Sequence, residues 1–137
     1  MKGKEVVDFM MKNDAFSQWL GIHVLEVGEG NAILEFTVRE EMLNGFYILH
    51  GGITYSVADS ALAFAANSHG IQSVSIETSI SHTKPVKLGE KIKAIATELS
   101  ISNKIGIYNV ELLNEKNQKV ALFKGTVFRT GKNWIKE

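Results

Sequence analysis

The segment 53–67 constrains the fold of this chain more than any other part of its sequence. It is rich in alanine and other apolar residues, and it contains neither glycine nor proline. Its length and alanine content favour an α-helix over a strand. Because the segment is apolar nearly all the way round, such a helix must be covered over most of its surface. A sheet curled around the helix provides that cover, and a second subunit can cover what remains.

Strand patterns occupy most of the remaining sequence. Apolar and polar residues alternate at 32–38 and again at 73–80. A glycine turn joins the first of these strands to a preceding strand. Three further strands are predicted at 91–101, 107–113 and 120–129. Gly125 inside the last strand predicts a β-bulge. Because the strands come in groups rather than alternating with helices, the sequence predicts an α+β fold with a largely antiparallel sheet.

The N-terminal part carries two short helical patterns and no targeting signal. We expect a single domain over residues 1–137, with the helical segment at about 4–19. Residues 1–14 lack the apolar core and the cleavage site of a signal peptide. The longest apolar stretch, 57–66, is too short to span a bilayer. These features predict a cytoplasmic protein.

Composition and charge argue against several classes of protein. Lys and Arg total 15 and Asp and Glu total 15, so neither a nucleic acid nor an anionic membrane is the expected partner. The chain has no cysteine, which excludes disulfides, thiolate metal sites and a cysteine nucleophile. Its four histidines have no recognisable metal-ligand spacing, so no metal site is predicted. The nucleophile-elbow, P-loop and zinc-protease motifs are also missing.

Asp59 is the residue that least fits its surroundings. It is the only acidic residue between Asn44 and Asn67, and it lies in the middle of the predicted apolar helix. Aspartate is a poor mid-helix residue, and a buried carboxylate is costly unless it is paired or hydrogen-bonded. One interpretation is a structural Asp59 capped by Ser56 or Ser60, or exposed at the helix surface. The other is a carboxylate in a dry cleft, where desolvation tunes its basicity.

A glycine pair before the helix supplies a second candidate component. Gly51 and Gly52 follow His50 and allow a ligand to approach the backbone closely. The first N–H groups of a helix are unpaired and point toward incoming negative charge. This arrangement suits an oxyanion hole for acyl transfer.

The spacing of the two components predicts a shared site. Asp59 lies eight positions after Gly51, which is about 12 Å along one helix. A carboxylate cannot act on a carbonyl held that far away. If the two act together, they must come from different chains, which predicts a two-fold dimer with two equivalent sites.

The pattern of these residues resembles the PaaI-like hotdog thioesterases. The match consists of Asn44, then His50-Gly51-Gly52, then Ala58-Asp59. The turn at 84–90 and the last strand, with Val120-Ala121 and residues 125–129, are similar to the same family. The similarity covers roughly residues 20–130. It implies a hotdog fold, in which a curled antiparallel sheet wraps around a long central helix, and an acyl-CoA thioesterase activity.

The resemblance also implies roles for the motif residues. Asp59 would act as a general base toward water or as a nucleophile on the thioester carbonyl. The Gly51 N–H, helped by Gly52, would polarise that carbonyl. Asn44 would orient the thioester or the water.

Two further residues have roles that are less direct. His50 would hold the loop or transfer protons. Ser75 occupies roughly the place at which some relatives carry a hydroxyl that positions water. Some hotdog thioesterases carry a threonine one helical turn after the carboxylate, but Ala63 stands there in this chain.

The implied substrate is an aryl- or medium-chain acyl-CoA, with coenzyme A as part of the substrate rather than as a separate cofactor. Lys84, Lys87 and Lys104 would bind the CoA phosphates. Phe46 and Tyr47 would line the acyl pocket. The resemblance further implies a homo-oligomer, a dimer with shared sites that pairs into a tetramer.

Two other functions fit the same fold. One is a non-catalytic acyl-CoA binder or sensor, against which Asp59 beside His50-Gly51-Gly52 argues. The other is a dehydratase or hydratase, which typically pairs a catalytic histidine with an acid in a different motif. That motif is not found in this sequence.

Overall fold

The computed structural model describes residues 2–135, which contain three α-helices and six strands. The helices are α1 (Lys2–Asn13), α2 (Ala15–Trp19) and α3 (Gly51–Asn67). The strands are β1 (His23–Gly28), β2 (Asn31–Thr37), β3 (Ile71–His82), β4 (Lys91–Ile101), β5 (Ile105–Leu113) and β6 (Lys119–Asn133). A 3₁₀ turn, Glu40–Met42, lies on the path from β2 to α3.

The six strands form one antiparallel sheet in the order β1-β2-β4-β5-β6-β3. Helix α3 packs against all six strands, so the sheet curls around it. The predicted α+β hotdog architecture is therefore confirmed. Its order places β1 at one edge of the sheet and β3 at the other.

Helix α3 lies at the centre of the hydrophobic core. Val57, Ala61, Leu62 and Phe64 are completely removed from solvent. Burying a side chain as large as valine, leucine or phenylalanine contributes about 1.5–3 kcal/mol to stability. The strands meet the helix with alternate residues, as in β5, where every second side chain is buried.

Gly125 does not form the predicted bulge. It pairs in regular register with Thr78 on one side and with Tyr108 on the other. A Cβ atom at this position would lie 2.5 Å from Cδ2 of Leu62 on α3. The bulge prediction was wrong because the glycine serves close approach of the helix to the sheet, which is the other common use of glycine in a strand.

The N-terminal helices cover one side of α3. Val6 and Val7 of α1 are buried in the structure. Asp14 caps α2, where its carboxylate accepts the backbone N–H of Ser17 at 2.9 Å. The Ser17 hydroxyl lies 2.8 Å from the hydroxyl of Ser60, which connects α2 to α3.

Edge strand β3 has an unusually exposed surface. Val74 is 57% exposed and Ile76 is 59% exposed. One edge of β3 pairs with β6, and the other edge has no strand beside it within residues 2–135. A long unpaired strand edge with exposed apolar side chains is suited to pairing with another chain.

Among residues 2–135, no helix has both the length and the hydropathy that crossing a membrane requires.

Candidate active site

His50 caps the N-terminus of α3 and, in the part of the chain that the structure describes, leaves one of its first two N–H groups without a partner. The His50 Nδ1 accepts the Gly52 N–H at 2.8 Å, and the His50 backbone N–H donates to the Met42 carbonyl at 2.8 Å. Because Nδ1 accepts this hydrogen bond, the neutral ring carries its own proton on Nε2. Within residues 2–135, the Gly51 N–H has no acceptor. The helix therefore presents Gly51 as its free donor, while the Gly52 donor is already used.

This free donor lies in the wall of a cleft of about 420 Å³. The cleft combines backbone, hydroxyl, amide and cationic groups with an apolar floor. Its lining residues are Asn44, Ile48, Leu49, Gly51, Thr54, His82, Thr83, Lys84, Pro85, Val86 and Val120. Three of the predicted site residues, Asn44, Gly51 and Lys84, are thus brought together in one chain.

Asn44 organises the turn that forms one side of the cleft. Its Oδ1 accepts the backbone N–H groups of Phe46 at 2.9 Å and Ile48 at 3.3 Å. The turn also contains Tyr47 in a left-handed conformation, with φ of 62°. Phe46 is 84% exposed and Tyr47 is 82% exposed, and neither lines the cleft of its own chain. A role for them in an acyl pocket therefore requires a second chain.

Asp59 lies two helical turns beyond Gly51, on the stripe of α3 that the sheet leaves uncovered. Neither neighbouring hydroxyl caps it, because Ser56 donates to the Gly52 carbonyl and Ser60 contacts Ser17. Partial burial raises the pKa of the Asp59 carboxyl, and the negative charge of Asp14 raises that pKa further. The structure thus combines a surface-facing carboxylate with an environment that favours its protonated form.

Helix α3 and strand β3 run side by side in opposite directions. At the C-terminal end of the helix the Asn67 Oδ1 accepts the Ser73 N–H at 2.9 Å, and nearer its N-terminus the hydroxyls of Tyr55 and Thr78 lie 2.6 Å apart. Ser75 falls between these two contacts. It therefore lies at a level between Tyr55 and Asn67 of α3, the stretch that includes Asp59.

The three predicted phosphate-binding lysines do not share one location. Lys84 lines the cleft and also borders an adjoining depression of about 690 Å³ that contains Lys87 and Lys116. Lys104 lies in the turn between β4 and β5, at the opposite end of the sheet. Within one chain, Lys84 and Lys87 thus lie near each other beside the cleft, and Lys104 does not.

Residues 2–135 contain no group of three or more His, Asp or Glu side chains arranged to hold a metal ion.

Comparison with known proteins supplies the family. The model of the thioesterase superfamily matches residues 46–121, the part that runs from the Asn44 turn through α3 to the start of β6. The chain belongs to the thioesterase superfamily. This matched region contains the free Gly51 donor, Asp59 and most of the cleft wall.

Several relatives resemble this thioesterase over most of their length. A protein of Archaeoglobus fulgidus is 42% identical over 131 residues, which cover 96% of this chain and 85% of the relative. The Escherichia coli acyl-coenzyme A thioesterase PaaI is 37% identical over 122 residues, which cover 89% of this chain and 87% of PaaI. The predicted membership of the PaaI-like thioesterases is confirmed.

Solved structures agree with this assignment. The E. coli PaaI structure superposes with a TM-score of 0.94 and covers 96% of each chain, at 35% identity. A Streptococcus mutans protein, solved with bound acetyl CoA, superposes with a TM-score of 0.79 at 25% identity and covers 82% of this chain and 90% of its own.

Sequence reasoning missed three polar residues of the cleft in this thioesterase, Thr54, His82 and Thr83. His82 stands at the end of β3 and lies against Gly51, although the two are 31 positions apart in sequence. The alternation identified in the sequence covers residues 73–80 and does not include His82. Extending the alternation of β3 by two residues, to 82, would have placed it on the helix side of the sheet.

Proposed function

We propose that this thioesterase hydrolyses acyl-CoA to a free acid and coenzyme A. The observation that carries the proposal is the Gly51 N–H at the start of α3, which has no acceptor within residues 2–135 and lies in the wall of a cleft. A donor in this position suits the oxygen of a thioester carbonyl as it gains negative charge. PaaI, which is named as an acyl-coenzyme A thioesterase, supports the same substrate class.

Asp59 provides the base in this proposal. Its carboxylate removes a proton from water while the water oxygen attacks the carbonyl carbon. The tetrahedral intermediate then collapses, the C–S bond breaks, and the thiolate of CoA leaves and takes up a proton. Burial and the charge of Asp14 raise the pKa of Asp59, which makes its carboxylate a stronger base toward water than an ordinary exposed aspartate. Asn44, which lines the cleft that contains Gly51, orients the thioester or the water.

A nucleophilic Asp59 is the alternative route through the same groups. A carboxylate oxygen would then attack the carbonyl, the thiolate would leave, and water would hydrolyse the resulting anhydride. A single turnover in ¹⁸O-labelled water distinguishes the two routes, provided that water attacks the anhydride at its aspartyl carbon. Label then enters the enzyme carboxyl by the nucleophilic route and only the product by the general-base route.

The site requires two chains. Gly51 and Asp59 of one chain are separated by about 12 Å along α3, and Tyr55 lies midway between them. Tyr55 contacts Thr78 of β3, the strand whose outer edge is unpaired within residues 2–135. Antiparallel pairing of two β3 strands near Thr78 would bring Asp59 of one chain beside Gly51 of the other. The same pairing would bring Ser75 toward the cleft of the partner, where it could position water.

Binding of the CoA portion is assigned to the lysines at the cleft mouth. Lys84 and Lys87 lie near each other beside the cleft. Ammonium groups there can form charge-assisted hydrogen bonds with phosphates. Lys104 can contribute only across the dimer, because it lies at the far end of its own sheet. Phe46 and Tyr47 would line the acyl pocket once a second chain packs against their turn.

Hydrolysis of a panel of aryl- and alkyl-acyl-CoAs by wild type and Asp59→Asn tests the proposal. We expect wild-type turnover that falls about 100-fold or more in the variant, with the variant still folded. Tight acyl-CoA binding by both proteins without turnover on any substrate would overturn it and support the sensor function.

Mixing two inactive variants tests the shared site. Asp59→Asn and Gly51→Pro, which lacks the N–H, are each expected to be inactive. After subunit exchange, heterodimers contain one intact site and one doubly altered site. Random mixing therefore restores about one quarter of wild-type activity. If mass spectrometry detects heterodimers but no activity returns, a site built from two chains is contradicted.

A further inference from the structure

We infer that the imidazole of His82 is a second donor to the thioester carbonyl oxygen, acting beside the Gly51 N–H. This inference rests on the proposed thioesterase function and adds a residue to its oxyanion site. It concerns hydrogen bonding to the developing negative charge, with no proton transferred from the ring.

The position of His82 is the first argument. His82 pairs with Ala121, which is completely buried, so the His82 side chain points to the helix side of the sheet. A methyl group on Gly51 would lie 3.0 Å from Cε1 and 3.1 Å from Nε2 of this ring. The imidazole therefore lies directly against the helix residue whose N–H is free, in the wall of the same cleft.

The number of available donors is the second argument. Oxyanion sites for acyl transfer commonly use more than one donor. The neighbouring Gly52 N–H is taken by His50 Nδ1, so of this glycine pair only Gly51 offers an N–H without an acceptor within residues 2–135. No hydrogen-bond partner of the His82 ring is found within residues 2–135, which leaves a ring N–H free to meet a ligand. His82 can supply the donor that Gly52 cannot.

The surroundings favour a donor over a base. Lys84 contributes an ammonium group to the cleft wall, and the His50 ring nearby is held by its contact with Gly52. Among residues 2–135, no carboxylate lines this cleft in its own chain. Both the neutral and the protonated imidazole carry an N–H, so the ring can stabilise an oxyanion in either form.

Substitutions of matched shape test the inference. His82→Phe keeps a ring and removes the donor, whereas His82→Gln keeps an amide N–H. We expect kcat for the best acyl-CoA substrate to fall by about 10-fold to 100-fold in His82→Phe, with KM changed less than threefold. His82→Gln is expected to retain more kcat than His82→Phe. His23→Phe, an exposed histidine on the opposite edge strand β1, serves as the control and is expected to leave both constants unchanged.

A spectroscopic measurement separates hydrogen bonding from a merely structural role. A thioester bound to Asp59→Asn should show its carbonyl stretch at a lower frequency than in water. Adding His82→Phe should move that stretch back toward its value in water, while the far-ultraviolet circular dichroism stays unchanged.

Two outcomes would overturn the inference. One is wild-type kcat in folded His82→Phe, and the other is an unchanged carbonyl frequency. Either result, combined with an inactive Asp59→Asn, would remove His82 from the site and leave the proposed function intact. Full activity of Asp59→Asn would instead count against the proposed function itself.

Discussion

The hydroxyl oxygens of Ser17 and Ser60 lie 2.8 Å apart, and this contact fixes α2 against the α3 residue that follows Asp59. The Ser17 hydroxyl also donates to the Asp14 carboxylate at 2.6 Å. The cap of a short N-terminal helix is thereby held close enough to Asp59 for its charge to raise the pKa of that carboxyl, in addition to the larger effect of burial.

Asp14→Asn should move the acidic limb of the pH profile. Removing the Asp14 charge leaves burial as the remaining cause of the raised Asp59 pKa, so that pKa should fall. Asp59 must be deprotonated to act as a base, and the rising limb of kcat/KM against pH should therefore shift to lower pH. Asparagine is also a good helix cap, so folding should be preserved. A limb that stays in place or moves to higher pH would contradict this electrostatic coupling.

Asp59→Asn should stabilise the protein at neutral pH. The folded state raises the pKa of Asp59, so it favours the protonated carboxyl. The associated stability is fully present below the pKa of the unfolded chain and is lost as the pH rises through the folded pKa. Asparagine mimics the protonated form at every pH. Thermal unfolding should show a higher Tm for the variant at pH 7, with the difference vanishing in acid. A Tm below that of wild type at pH 7 would be inconsistent with the raised pKa.

Gly51→Ala should separate activity from stability. Gly51 has ordinary helical geometry, and alanine is favoured over glycine within helices. The added methyl group would press on the His82 ring and narrow the approach to the N–H. We expect a loss of about 10-fold or more in kcat/KM, with unfolding free energy within about 1 kcal/mol of wild type. Denaturant titration and steady-state kinetics check the two parts. A variant with full activity would show that this contact is not part of the site.

Gly125→Ala should destabilise the fold. Its methyl group would meet Leu62 of α3 in the closely packed core. Overpacking of this kind costs about 1–3 kcal/mol, to be measured by denaturant unfolding. Gly45→Ala provides a matched control, because an added methyl group there would meet no atom within 4 Å. Equal stability of the two variants would be evidence against a tight helix–sheet contact at Gly125.

Ile76→Lys should disrupt both assembly and turnover. Ile76 is exposed on β3, where a charge should oppose pairing with a second strand. We expect a smaller particle in sedimentation velocity and a large loss of activity, with the fold of each chain retained. Thr37→Lys, an exposed change on β2, is the control. An active monomer would refute the shared site.

Periodicity was sufficient to predict the architecture because burial determines it. The apolar segment of α3 and the alternation of the strands are local signals, and the structure has both in the expected order. Boundaries were less certain: α3 begins at Gly51 rather than Ile53, because the His50 side chain caps it. A cap depends on a side-chain rotamer, which hydropathy does not encode.

The site was only partly predictable, because some of its contacts join segments that are far apart in the sequence. The segment 44–59 is continuous in sequence, so Asn44, His50-Gly51-Gly52 and Asp59 could be read as a motif. His82 reaches Gly51 only because β3 lies alongside α3, a contact that no local pattern contains. Gly52 was predicted as a donor from its position alone, and the imidazole that occupies its N–H depends on how the loop folds.

If the exposed edge of β3 pairs as proposed, the activity of the enzyme should depend on the protein concentration. Under the proposed pairing, one strand both joins the chains and delivers Ser75 and His82 to the two sites. Diluting the enzyme below its dissociation constant would then abolish turnover by mass action, without unfolding either chain. Specific activity would rise with the amount of enzyme present, so a cell that makes more of this protein would gain activity faster than it gains protein.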